Sequence, residues 1–234
     1  MAIFKKSIIC FLISFIFYIN TFAYNIFIDP GHGGTDRGAV RGSLIESQIA
    51  LTISNLVAKK LSAQKEIIIF QSRTEDSTLQ LKERVDLSDK ISPDLFISFH
   101  INSSHDERAK GLELYFPADK KVDFNLKKGV DAKSNLSVLI MQDYLNNLKL
   151  HKSKFAAENI LTERQTEGVF TIQKRKILQA PFYVLSRSKV PSLLIELGFL
   201  TNKKEAQLLI SQNYQEQLAQ EISQGIINYI HSIK

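Results

Sequence analysis

"IFIDPGHGGTDRGAV", Ile26–Val40, is an apolar run that breaks into a glycine-rich loop. A strand feeding such a loop is the usual entry to an α/β sheet, and the loop's ligand then decides which one. A dinucleotide fingerprint needs a third glycine after Gly31 and Gly33, and that position holds Asp36. A P-loop needs a Gly-Lys-Ser/Thr triplet, which is missing, and a carboxylate at the mouth repels phosphate. Phosphate is therefore a poor fit. What remains is His32, mounted between glycines whose lack of a side chain lets the backbone pass close to an ion.

Outward from the loop, strands and helices alternate. Strands are expected at Asn25–Asp29, Glu66–Ser72, Asp94–Ile101, Gly111–Phe116, Phe182–Ser186 and Ser192–Leu197. Helices are expected at Ser43–Ala63, Thr78–Lys90, Ser134–Leu148, Ser153–Arg164, Lys203–Ile210 and Tyr214–Ile230. The order predicts an α/β sheet covered by helices on both faces. Residues 119–150, lysine-rich and then helical, read as an insertion that the sheet does not need.

The first 23 residues belong to a different object. Lys5 and Lys6 precede the apolar stretch Ser7–Ile19, and Thr21-Phe22-Ala23 offers small residues where a signal peptidase reads. This pattern predicts a secretory signal peptide, 1–23, followed by one domain, 24–234. The alternative is an uncleaved anchor, for which the stretch is short. The single cysteine, Cys10, lies inside that leader, so the exported chain has no disulfide and relies on its core or a metal. The formal charge of +6 is spread thinly, and the lysine clusters carry no interleaved aromatics. That argues against nucleic acid and suits an anionic polymer such as a cell wall.

A catalytic zinc needs about three protein ligands and an open position. His32 follows the first strand and His100 ends the third, and ligands gather beyond the carboxyl ends of such strands. The bland alternative is a turn histidine and a core histidine. Glu46 closes the pattern Ser43-x-x-Glu46, a capping box, yet it also follows closely on the glycine loop and can point back to His32. Glu196 interrupts the apolar run "LLIELGF", where a carboxylate is costly unless paired or used. It reads either as a buried salt bridge or as the general base for a zinc-activated water.

The blocks "IDPGHGGTDRGA", "ESQIAL", "SRTEDSTLQLKERVDLSD", "DLFISFHINSS", "QAPFYVL" and "PSLLIELGFLTN" occur in this order. Together they resemble the zinc-dependent N-acetylmuramoyl-L-alanine amidases, which include the cell-division amidases of Gram-negative bacteria. The resemblance spans nearly all of the chain after the leader and implies a three-layer α/β fold, a central mostly parallel sheet of about six strands flanked by helices. It implies a peptidoglycan hydrolase of the periplasm, or of the secreted or wall-associated space, that cleaves the amide between N-acetylmuramic acid and the stem-peptide L-alanine. It implies one Zn2+ held by His32, Glu46 and His100, with Glu196 as catalytic base and Asn102 as a substrate contact. It also implies that 119–150 covers the site until an activator protein displaces it. Alternatives are another zinc-dependent wall peptidase and a non-catalytic wall-binding relative, which is expected to have lost a ligand or the glutamate. Leu178 departs from the family, standing where a basic residue is frequent. His105 is expected to face solvent, and His151 and His231 receive no role. No membrane contact beyond the signal peptide is expected.

Overall fold

The computed structural model describes residues 23–118, 132–162, 170 and 172–233. The expected leader, apart from Ala23, and the first part of the expected insertion, 119–131, lie outside the described residues. Among the described residues, no helix is long and apolar enough to cross a membrane.

The first strand, β1 (Tyr24–Pro30), alternates its side chains between two buried faces. Ile26 and Ile28 enter one core cluster and Phe27 the other. A sheet apolar on both faces must be covered on both. The first cover is α1 (Glu46–Leu61), which follows a small hairpin of β2 (Val40–Arg41) and β3 (Leu44–Ile45). The chain continues through β4 (Ile67–Gln71), α2 (Leu81–Ile91), β5 (Leu95–Asn102), β6 (Leu112–Pro117), α3 (Ala132–Thr162) and β7 (Lys174–Ala180). It closes with α4 (Tyr183–Arg187), β8 (Ser192–Phe199), α5 (Lys203–Leu209) and α6 (Gln212–Ser232). Helices α1, α3 and α6 pack on the Ile26/Ile28 face, and α2 and α4 on the Phe27 face.

The six-stranded sheet has the order β4-β1-β5-β8-β6-β7. All neighbours are parallel except β6 and β8. From β1 the chain builds first to one side, with β4, and then to the other, with β5. The carboxyl ends of β1 and β5 therefore border the crevice where α/β sheets place their ligands.

Three expectations need correction. Phe182–Ser186 is not a strand: α4 occupies this stretch, burying the consecutive pair Val184 and Leu185 where a strand would alternate. The sixth strand is β7, "KRKILQA", whose charges suit an edge position with one neighbour. The two helices expected at 134–148 and 153–164 are one continuous helix, α3, because nothing in "KLHK" stops a helix.

Candidate metal centre and active site

The glycine loop turns at His32 itself, which sits at φ 55°. Such a conformation is costly for a residue with a side chain and persists only where its surroundings hold it. The hold is two buried arginines. Arg73 donates to the carbonyls of Pro30 (3.0 Å), Gly31 (2.7 Å) and Ser47 (3.0 Å). Arg84 donates to the carbonyls of Pro30 and His32, both at 2.7 Å, and pairs with Asp29 Oδ1 at 2.7 Å. Asp29 also accepts from the hydroxyls of Ser72 and Ser98. Three successive loop carbonyls with no ladder partner thus find donors inside the protein.

His32, Glu46 and His100 converge so that one ligand atom from each lies within 4.8 Å of the others. Glu46 Oε1 sits 3.2 Å from His32 Nε2 and 2.9 Å from His100 Nδ1. Ligands at about 2.0 to 2.1 Å from a tetrahedral zinc stand about 3.3 Å apart, so the donor types and the two spacings from Glu46 suit that ion. The site is also cut close around these side chains. A Cβ on Gly31 would fall 2.5 Å from His100 Cε1, and one on Gly38 2.5 Å from Glu46 Oε2.

Glu46 is the first residue of α1, and the capping box is not formed. Ser43 lies in the hairpin turn, Ile45 is the N-cap, and no side chain caps the helix. The carboxylate points instead toward the loop. Its Oε2 accepts from the Ala39 amide (2.7 Å) and its Oε1 from the Ile101 amide (3.0 Å). Burial alone would raise its pKa. Hydrogen bonds from His100 and His32, the charge of His100 and the Ala39 amide reverse this and hold the carboxyl well below the usual range. His32 shows the complement. Burial would lower it, but Glu46 first and Asp36 second lift it to about 9. Asp36 Oδ2 takes the other ring nitrogen, Nδ1, at 2.8 Å, and its Oδ1 accepts from the Gly38 amide. The turn that places Asp36 there is closed by two reciprocal backbone bonds between Gly33 and Asp36.

Glu196 lies on β8, opposite His100 on β5 and opposite Glu113 on β6. Its Oε2 is buried with no hydrogen-bond partner among the described residues. No salt bridge among the described residues explains it. Burial, with the negative charges of Glu46 and Glu113 added and His32 opposing, pushes its carboxyl up to about 8. His32, His100 and Glu196 all line a cavity of about 400 Å³, whose walls include Asp36, Leu81, Phe182 and Tyr183.

Asn102 does not join them. Its amide donates to Glu113 Oε2 (2.9 Å), its carbonyl accepts from the Ser103 amide, and it is not among the cavity's lining residues. Leu178 is half-buried on β7 and does not line the cavity either. His105 and His151 are exposed, and His231 sits at the surface 3.3 Å from Glu66. No described residue of α3 lines the cavity. Its C-terminal half buries Ala156, Ala157 and Ile160, whereas its N-terminal half leaves Val138, Met141, Tyr144 and Leu145 exposed.

The model of the Amidase_3 family, N-acetylmuramoyl-L-alanine amidase, matches residues 26–228 and so takes in every residue of this site. The chain belongs to that family. Its activity is that of an N-acetylmuramoyl-L-alanine amidase, a peptidoglycan hydrolase. The amidase LytC of Bacillus subtilis is 31% identical over 204 residues, which are 87% of this chain and 35% of LytC. The chain therefore spans about a third of that relative. The crystal structure of the amidase from Clostridium difficile 630 is 31% identical, with TM-score 0.68, covering 91% of this chain and all of that one. The CwlD amidase of Clostridioides difficile, solved in complex with the GerS lipoprotein, is 25% identical with TM-score 0.70 and covers 90% of this chain and 100% of that one.

Arg73, Arg84, Asp36 and Glu113 are functional neighbours that motif reading passed over. Arg84 had a visible signal, since it falls with Val85 and Ser88 on the buried face of α2. Glu113 had none, because a glutamate within a strand ordinarily reads as a solvent position.

Proposed function

We propose that this amidase works with one zinc ion held by His32, Glu46 and His100, and that Glu196 is its general base. The observation that carries the reading is that two of the three converging donors, His32 and His100, line one cavity with Glu196, whose Oε2 is buried with no hydrogen-bond partner among the described residues. When bound, zinc supplies Lewis acidity to the scissile carbonyl and to the attacking water. Glu196 takes the proton of that water and hands it to the departing alanine nitrogen, so one carboxylate serves both halves of the reaction. Its high proton affinity suits the second transfer. Asp36 keeps a proton on His32 Nδ1, which leaves Nε2 to the metal.

Two measurements on one preparation test this. Purified protein carries one zinc per chain, and digestion of intact sacculi frees stem peptides with N-terminal L-alanine. Cleavage inside the peptide instead would identify a peptidase. Zinc uptake by chelator-treated protein at pH 7 also releases protons, since the His32 ring, lifted to about 9 by Glu46 and Asp36, must give up its Nε2 proton to bind.

The leader, 1–23, makes the protein an exported one that acts in the periplasm. The exported form then begins at Tyr24 on N-terminal sequencing, and retention of the leader would mean an anchor. Segment 119–150 is a regulatory insertion that an activator protein engages. The support for this is the exposed stripe Val138, Met141, Leu145 and Leu148, spaced as one face of a helix. Deleting 120–149 raises basal activity if the segment inhibits. Unchanged activity in a folded protein would refute inhibition.

A further inference from the structure

The catalytic cavity is lined by an acidic side chain on one wall and, on another, by an aromatic ring that carries a cation just outside the lining. On the loop side stands Asp36, whose side chain is 61% exposed even while it holds His32. On the α4 side stands Tyr183, itself 40% exposed, with the guanidinium of Arg187 5.8 Å from the centre of its ring. The wall is firm, because Phe182 beside it packs edge-on against Tyr115 at 5.2 Å. The nearby cations are already matched: Lys82 with Asp86 at 2.6 Å and Lys189 with Asp89 at 2.7 Å. Arg187 has no carboxylate partner among the described residues. A guanidinium resting on a ring keeps its in-plane donors for another group, and that fork matches a carboxylate.

The substrate is charged on one side only. On the acyl side of the scissile amide is a neutral glycan ether. On the amine side runs the stem peptide, whose second residue bears a carboxylate. Asp36 repels that half and Arg187 attracts it. We propose that Arg187, propped on Tyr183, receives the second-residue carboxylate of the stem peptide, so that the peptide lies along α4 and the glycan away from it. This assignment rests on the amidase activity.

The test uses the full-length enzyme with two soluble disaccharide-peptides that differ only in whether the second-residue carboxylate is free or amidated. Wild-type release of L-alanine termini from both reports on the amidase activity itself, and only the ratio between substrates reports on Arg187. Arg187→Gln raises KM for the free acid about tenfold. It leaves kcat and the zinc content unchanged and does not alter cleavage of the amidated substrate. Arg187→Lys restores part of the preference, as a charge without the fork does. An equal loss on both substrates, or none on the free acid, overturns the proposal.

Discussion

Glu196→Gln keeps one zinc per chain and loses at least about 10²-fold in kcat on soluble muropeptide, the scale of general-base catalysis. The substitution preserves shape and removes only the ability to take a proton. It should also leave the fold intact. The native Oε2 is buried with no hydrogen-bond partner among the described residues, so the uncharged amide breaks no bond of that oxygen. Burial and the charges of Glu46 and Glu113 already work against the ionised form, so the chelator-treated variant is expected to be at least as stable as wild type at neutral pH. Loss of turnover without loss of metal or stability separates a base from a structural carboxylate. A variant that keeps more than a tenth of wild-type kcat would remove Glu196 from that role.

What the sequence made legible follows from contrast. His32 stands out among glycines, and Glu196 inside an apolar run, because each is a polar group where the local pattern calls for something else. The alternation of strands and helices was equally plain, and the three-layer sheet follows from it. Errors fell where local chemistry misleads. "FYVLS" has aromatic and β-branched residues, yet its position between β7 and β8 makes it a single helical turn over the second core. "KRKILQA" looks like a polar loop because an edge strand tolerates charge. The Ser43-x-x-Glu46 spacing fits a capping box, but Gly42 at φ 59° turns the chain into a hairpin there and frees Glu46 for the histidines. The loop's support was legible only as Arg84's place beside Val85 on one face of α2, and not in what either arginine binds. Arg73 and Arg84 act on backbone carbonyls 42 to 54 residues away, and no residue pattern announces which carbonyls lack partners.

That support leads to the second large effect. Arg84→Met destabilises the chelator-treated protein by about 3–5 kcal/mol, because it leaves Asp29 charged and buried with its guanidinium gone. For a domain of this size the loss corresponds to roughly 6–20 °C in Tm. Asp29 and Arg84 are 1% and 3% exposed, so water does not replace the missing partner. The same change strips the His32 carbonyl of its donor and the Pro30 carbonyl of one of two. The left-handed turn at His32 then loses what holds it, and zinc affinity falls along with stability. Arg84→Lys is not a rescue, since one ammonium cannot span Asp29 and two loop carbonyls in the geometry of a fork. Asp29→Asn combined with Arg84→Met recovers part of the lost stability by removing the stranded charge, but it recovers no zinc affinity, because the His32 carbonyl stays unpaired. Thermal unfolding and a zinc competition titration on the single and double variants separate the two effects. A loss below about 1 kcal/mol for Arg84→Met would place the pair among ordinary surface ion pairs and leave the turn at His32 to be held by Arg73 and the glycines alone.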